Sequence, residues 1–186
     1  MHAFSLLALA GAASALPPKR AISKEEFTIA MQLGAGEEAP VVPLLAVPNG
    51  PGSKEYILVG QTQGTAATPV YATGTSPDQT LALDVGGKPY YMSAADIGDL
   101  DGAASTVNAD PLYKDEEWSV DGTTIDHQLT AANNIFLACN QTVNSAEVPV
   151  LTWGSQESDG SYPEGCYFTS LYRKCNVPGS DASCEE

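Results

Sequence analysis

Residues 118–173 read WSVDGTTIDHQLTAANNIFLACNQTVNSAEVPVLTWGSQESDGSYPEGCYFTSLYR, and this stretch decides the fold. It holds both tryptophans, two of the four cysteines and the single N-x-S/T sequon. In 118–121 and again in 125–129 the apolar residues mostly alternate with polar ones, the period of a half-buried strand. Asp121-Gly122 lies between these runs. Because a type I′ turn needs positive φ, this dipeptide predicts a tight hairpin. Residues 135–139 and 148–153 are nearly all apolar, as in strands covered on both faces, and 166–172 alternates once more. The stretch predicts a β-rich unit closed by a disulfide, and no catalytic motif is visible in it.

Outward from it, strand signals recur at short intervals. Phe27, Ile29 and Met31 alternate with Thr28, Ala30 and Gln32. The apolar run 41–47 contains Pro43, which suits an edge or a bend. NGPGS at 49–53 is a loop, and 56–59 follows as a short buried strand. Leu81, Leu83 and Val85 alternate with Ala82 and Asp84, and Gly86-Gly87 turns the chain into 88–92 as a second hairpin. No amphipathic helix of useful length is present. Segment 94–117 has no pattern and reads as an extended acidic loop with a helical turn at most. The expectation is an all-β, single-domain antiparallel sandwich or barrel of about 10–12 short strands spanning 21–186. A β-trefoil is the alternative, because Trp118…Asp121-Gly122…Ile125 is similar to the turns of trefoil lectins.

The chain opens with MHAFSLLALAGAASA, a short apolar run ending in Ala13-Ser14-Ala15, the form of a secretory signal peptide over 1–15. It is too short for a bilayer anchor. Residues 16–20 end in Lys19-Arg20, which fits either a dibasic processing site or an ordinary solvated pair. The other end, CNVPGSDASCEE, is polar throughout, so no hydrophobic tail for lipid anchoring is expected. Secretion gives the cysteine count its meaning. Cys139, Cys166, Cys175 and Cys184 read as two disulfides with three possible connectivities; we favour Cys139–Cys166 across core strands and Cys175–Cys184 in the tail. The whole chain carries a net charge of −15; without Lys19 and Arg20, six basic residues face 23 acidic ones, a net −17. Such a charge disfavours nucleic acid or an anionic membrane as partner.

Several constellations bear on chemistry. Asp99-Leu100-Asp101-Gly102 looks like part of a calcium loop, but an EF-hand register would put Ile97 first and Asn108 twelfth, where oxygen and carboxylate ligands are required. The reading is a solvated acidic loop. His127 is the one histidine beyond the signal, and no cysteine pair has C-x-x-C spacing, so no metal or cofactor is expected. There is no G-x-S-x-G nucleophile motif. His127 shares a face with Ile125 and Leu129 and reads as a hydrogen-bonded strand histidine. Acidic pairs are too numerous to single out a glycosidase site. Tyr113, Trp153 and Tyr162 are flanked by polar loops and are the aromatic residues best placed to contact a glycan. Asn140, at the head of Asn140-Gln141-Thr142, is the expected N-glycosylation site, on a surface loop.

The arrangement W-S-V-D-G…L…I-F-L-A-C-N over 118–140, followed by a strand ending near a tryptophan and a glycine-flanked cysteine, resembles the fungal PhiA-like cell wall proteins. These are small secreted proteins of phialides and other spore-bearing structures. The resemblance implies a non-enzymatic, extracellular wall protein acting in conidium development, with Cys139 and Cys166 as structural cysteines and no catalytic residues. Its expected partners are wall polysaccharide or wall proteins, held non-covalently. The alternatives are a lectin-like carbohydrate-binding module, and a secreted hydrolase or effector.

Overall fold

The computed structural model describes residues 26–61, 66–95, 102–128 and 134–175. The expected signal peptide, the 16–20 segment, Asp99, Asp101, Leu129 and Cys184 lie outside them. Among the described residues there are 14 strands and no helix. They are β1 (Phe27–Gln32), β2 (Val41–Pro48), β3 (Tyr56–Gly60), β4 (Pro69–Thr75), β5 (Asp78–Val85), β6 (Lys88–Ser93) and β7 (Ala104–Thr106). The rest are β8 (Asn108–Asp110), β9 (Trp118–Asp121), β10 (Thr124–His127), β11 (Asn134–Val143), β12 (Ala146–Ser155), β13 (Cys166–Phe168) and β14 (Leu171–Lys174). The all-β expectation holds.

All the strands belong to one antiparallel sheet that closes on itself. From β3 the pairing runs through β2, β1, β14, β10, β9, β5, β6 and β8, and β8 pairs back to β3 at Ile57↔Asn108. A second link crosses the ring, because β4 pairs with both β1 and β5. β1 is the junction: Thr28 faces Lys174 on one edge and Pro69 on the other, while Ala30 faces Tyr172 and Pro43. Outside the ring, β12 leaves β3 and carries β11, β13 and β7. Among the described strands the pairing follows no threefold repeat, so the trefoil alternative gives way to a ring-like sheet.

The strands form where the sequence alternates or is continuously apolar. In β10 the pattern places Ile125 and His127 inward and Thr124 and Asp126 outward. The hairpin expected at Asp121-Gly122 is present with its turn one residue later. Thr124 pairs with Asp121, so Gly122 and Thr123 are central, and only Gly122 has positive φ, at 54°. That backbone departs from type I′, which needs positive φ at both central positions. Type I′ geometry appears instead at Asn144-Ser145, with φ of 50° and 67°, joining β11 to β12. The expected alternating strand 166–172 divides at Thr169-Ser170. There the Thr169 N–H donates to Phe136 O and its hydroxyl donates to Gln32 O, which hands the chain from β13 beside β11 to β14 beside β1.

Within the patternless segment 94–117 the described residues hold β7 and β8 and no helical turn; residues 96–101 lie outside the described residues. Val107 and Ala109 there are fully buried, and the Val107 N–H donates to Leu151 O at 3.1 Å. One main core fills the structure, with Phe27, Met31, Leu81, Leu83, Trp118 and Leu151 among its largest buried side chains. A smaller cluster of Ile57, Val59 and Val150 packs with Leu45, Val47, Val143 and Val148. Cys139 and Cys166 face each other across β11 and β13 and form a disulfide, as expected. Cys175 is also disulfide-bonded.

Candidate functional site

Two neighbouring features share Trp153. The first is a buried polar pair in an aromatic setting. The register of β9 and β10 sets His127 opposite Trp118, and their rings meet edge to face at 4.7 Å. Trp153 closes on His127 from β12 at 5.3 Å, and Phe136 packs against both indoles. His127 Nε2 lies 2.8 Å from Asp115 Oδ2. The same oxygen accepts from the Ala94 N–H at 3.1 Å, and Oδ1 accepts from the Glu117 N–H at 3.0 Å. Burial pushes the Asp115 carboxyl up. The hydrogen bond from His127, the bond from the Glu117 backbone, the charge interaction with His127 and the Ala94 bond outweigh it, so the carboxyl sits below its usual value.

Asp115, Glu117 and His127 offer ligand atoms within 4.8 Å of one another, a set able to approach a divalent cation. Spacing alone did not announce this set, because Asp115 and Glu117 come from the segment before β9 and meet His127 only through the hairpin. Asp115 already accepts three hydrogen bonds, which gives the pair a structural role: it ties the entry to β9 onto β10 and β6.

The second feature is a cleft of about 470 Å³ where β10, β11, β12 and the β13–β14 junction meet. Ile125, Phe136, Phe168 and Leu171 give it an apolar wall, and Asn134, Asp126, Thr124 and Thr169 add polar groups. Trp153 also lines it. Its indole Nε1 is withdrawn from solvent without a hydrogen-bond partner, as are both amide atoms of Asn134. Each such group left unpaired costs about 1–3 kcal/mol. By contrast, the Trp118 Nε1–H donates to Met92 O at 3.2 Å.

The residues expected to contact a glycan do not form one platform. Tyr113 is 62% exposed beside the 88% exposed Leu112, in a turn where Asp110 Oδ1 accepts from both backbone N–H groups. Tyr162 is half-buried in the loop before β13. Trp153 is only 2% exposed, so it is a core residue with a polar edge and not a surface platform; polar neighbours in sequence misplaced it. Of the three, Trp153 alone lines the cleft. Asn140 is exposed as expected, but it lies within β11, paired with Pro149, and not on a loop. Asn134 went unnoticed in the sequence, since a single asparagine before an apolar strand is an ordinary boundary residue.

No helix among the described residues is long and apolar enough to cross a membrane. No curated protein and no solved structure matches the chain. A family model matches residues 43–175, which takes in the cleft, the Asp115–His127 pair and the Cys139–Cys166 disulfide, and the chain belongs to that family, described as a Domain of unknown function (DUF7907).

Proposed function

We propose that this protein is a secreted, non-enzymatic component of the fungal cell wall, held there by non-covalent contact with wall polysaccharide and contributing to wall organisation during conidium formation. The observation that carries the reading is the cleft beside β11 and β12, which combines an apolar wall with an unpaired indole N–H and an unpaired amide. A sugar presents the same mixture of C–H surface and hydroxyl groups. Supporting it are the two disulfide-bonded sites, which fit an oxidising compartment. The resemblance of 118–140 to PhiA-like wall proteins supports the wall and the spore. The Asp115 carboxylate, engaged by three donors, is held as a structural acceptor and is poorly placed to serve as a nucleophile.

The same cleft favours a second reading, a lectin-like module with no tie to spore formation. Fractionation of walls from sporulating and vegetative cultures separates the two. Recovery of tagged protein chiefly with conidiating walls supports the first, and equal recovery from both supports the second. Failure to co-sediment with insoluble glucan, chitin or mannan would remove polysaccharide from either account.

A further inference from the structure

We propose that the cleft receives an uncharged sugar residue bearing neighbouring hydroxyl groups, recognised by the Trp153 indole N–H together with the Asn134 side-chain amide. This rests on the polysaccharide reading above and assigns it a place and a chemistry. The placement follows from register. Phe136 on β11 faces Trp153 on β12, and Asn134 lies two residues from Phe136 on the same side of the strand. Asn134 and Trp153 are therefore diagonal neighbours, close enough for one ligand to span. Both line the cleft, and the Trp153 Nε1 and both Asn134 amide atoms have no protein partner.

The donor and acceptor inventory selects the ligand. The indole only donates, whereas the amide accepts through Oδ1 and donates through Nδ2. A hydroxyl both accepts and donates, so one hydroxyl can take the indole proton and give its own to Oδ1. An adjacent hydroxyl then accepts from Nδ2. A carboxylate offers no proton to Oδ1, and it would meet Asp126 in the lining of a chain with net charge −15. An ammonium cannot accept from the indole. The indole N–H and both amide atoms are withdrawn from solvent, so an entering sugar reaches them only as the half-buried Asn134 turns about its soft terminal torsion and uncovers the indole edge. Ile125 and Phe168 supply apolar surface for the C–H side of a pyranose.

The two tryptophans give the test an internal control. Only Trp118 already donates to a backbone carbonyl, so the indole N–H signals of the full mature chain, ¹⁵N-labelled, report separately on cleft and core. Titration with laminarihexaose, chitohexaose and mannohexaose should move the Trp153 signal saturably with at least one of them, and leave Trp118 in place. Oligogalacturonate, the anionic control, should leave both signals unmoved. Asn134→Leu should weaken that binding about tenfold or more, with the Trp118 signal unchanged as proof of an intact core. Saturable oligosaccharide binding with no movement of Trp153 would overturn the site and leave the wall reading standing. Equal response to oligogalacturonate would overturn the requirement for a neutral ligand. Loss of all polysaccharide co-sedimentation removes the polysaccharide reading on which this site rests, as distinct from the site alone.

Discussion

His127 Nε2 and Asp115 Oδ2 stand 2.8 Å apart with both side chains buried, and this contact fixes the segment before β9 against β10. Removing the carboxylate strands the imidazole and two backbone N–H groups. We expect Asp115→Ala to cost about 3 kcal/mol, the scale for breaking a buried pair from one side. For a domain of this size that is a fall of about 6–12 °C in Tm. The pH dependence follows from the lowered Asp115 value. Its stabilisation is complete above the unfolded value of 3.8 and is lost as pH falls below that towards the folded value. Denaturant titration of wild type and Asp115→Ala at a series of acid pH values should therefore show the difference between them shrinking only below that point.

The Cys139–Cys166 disulfide closes a loop with a sequence separation of 27 and joins β11 to the short β13. Replacing both cysteines with alanine should cost about 2–4 kcal/mol. Replacing Cys175 and Cys184 together should cost less, because β14 is already held by β1 and β10. Chemical denaturation of the two double variants gives the comparison. Equal losses would contradict this ranking.

Gly154 lies on β12 where an added Cβ would meet Leu137 Cδ1 at 2.6 Å and the carbonyl oxygen of Ala103 at 2.9 Å. One of these neighbours is backbone and cannot rotate aside. Gly154→Ala should destabilise by about 1–3 kcal/mol through overpacking. Gly60→Ala should be milder, since two of its close contacts are side-chain ends, Met31 Cε and Val42 Cγ2. Thermal melts of the two variants test the order.

Asn140 is exposed on β11, next to the disulfide-bonded Cys139, and its N–H donates to Gly165 O at 2.9 Å. The backbone is thus committed while the side chain is free to carry a glycan. Protein secreted by its native host should gain gel mobility on endoglycosidase treatment, and Asn140→Gln should abolish that shift. Unchanged mobility would show an unused sequon.

Wall retention should follow charge. Without Lys19 and Arg20 the chain carries net −17, so its copies repel one another at neutral pH and low salt, and protonation of carboxylates near pH 4 relieves that self-repulsion. Hot detergent with reductant should extract the protein, and neutral low-salt washing should release more than washing at about pH 4. Release only by glucanase, with glycan remnants attached, would show a covalent link instead.

Much of the fold was legible because hydrophobic period and turn chemistry are local. Phe27–Gln32, Tyr56–Gly60 and the Gly86-Gly87 hairpin could be read directly, and the last forms with Val85 opposite Lys88. The short strands β7 and β8 could not, because partners define them: Thr106 is a strand residue by facing Thr152, and Asn108 by facing Ile57. The outer ends of β11 and β12 were hidden for another reason. Gln141, Thr142 and Glu147 run past the covered part of the sheet, so their polarity looks like a loop although they keep the ladder. The site was less legible still. His127 was readable as a strand histidine, but Asp115 reached it from a patternless segment, and the buried state of Trp153 came from Phe136 and His127 packing on it.

The closure of the sheet through β1 also dictates when the domain can finish folding. β1 lies near one end of the described chain and pairs with β14 near the other, with Thr28 facing Lys174. β14 must be made before the β1–β14–β10 side of the ring can pair, whereas the β4 link between β1 and β5 and the β11–β12 hairpin need only residues that precede it. Until β14 pairs, the edges of β1 and β10 that it joins stay open, and such unpaired edges are where a half-folded chain meets its neighbours.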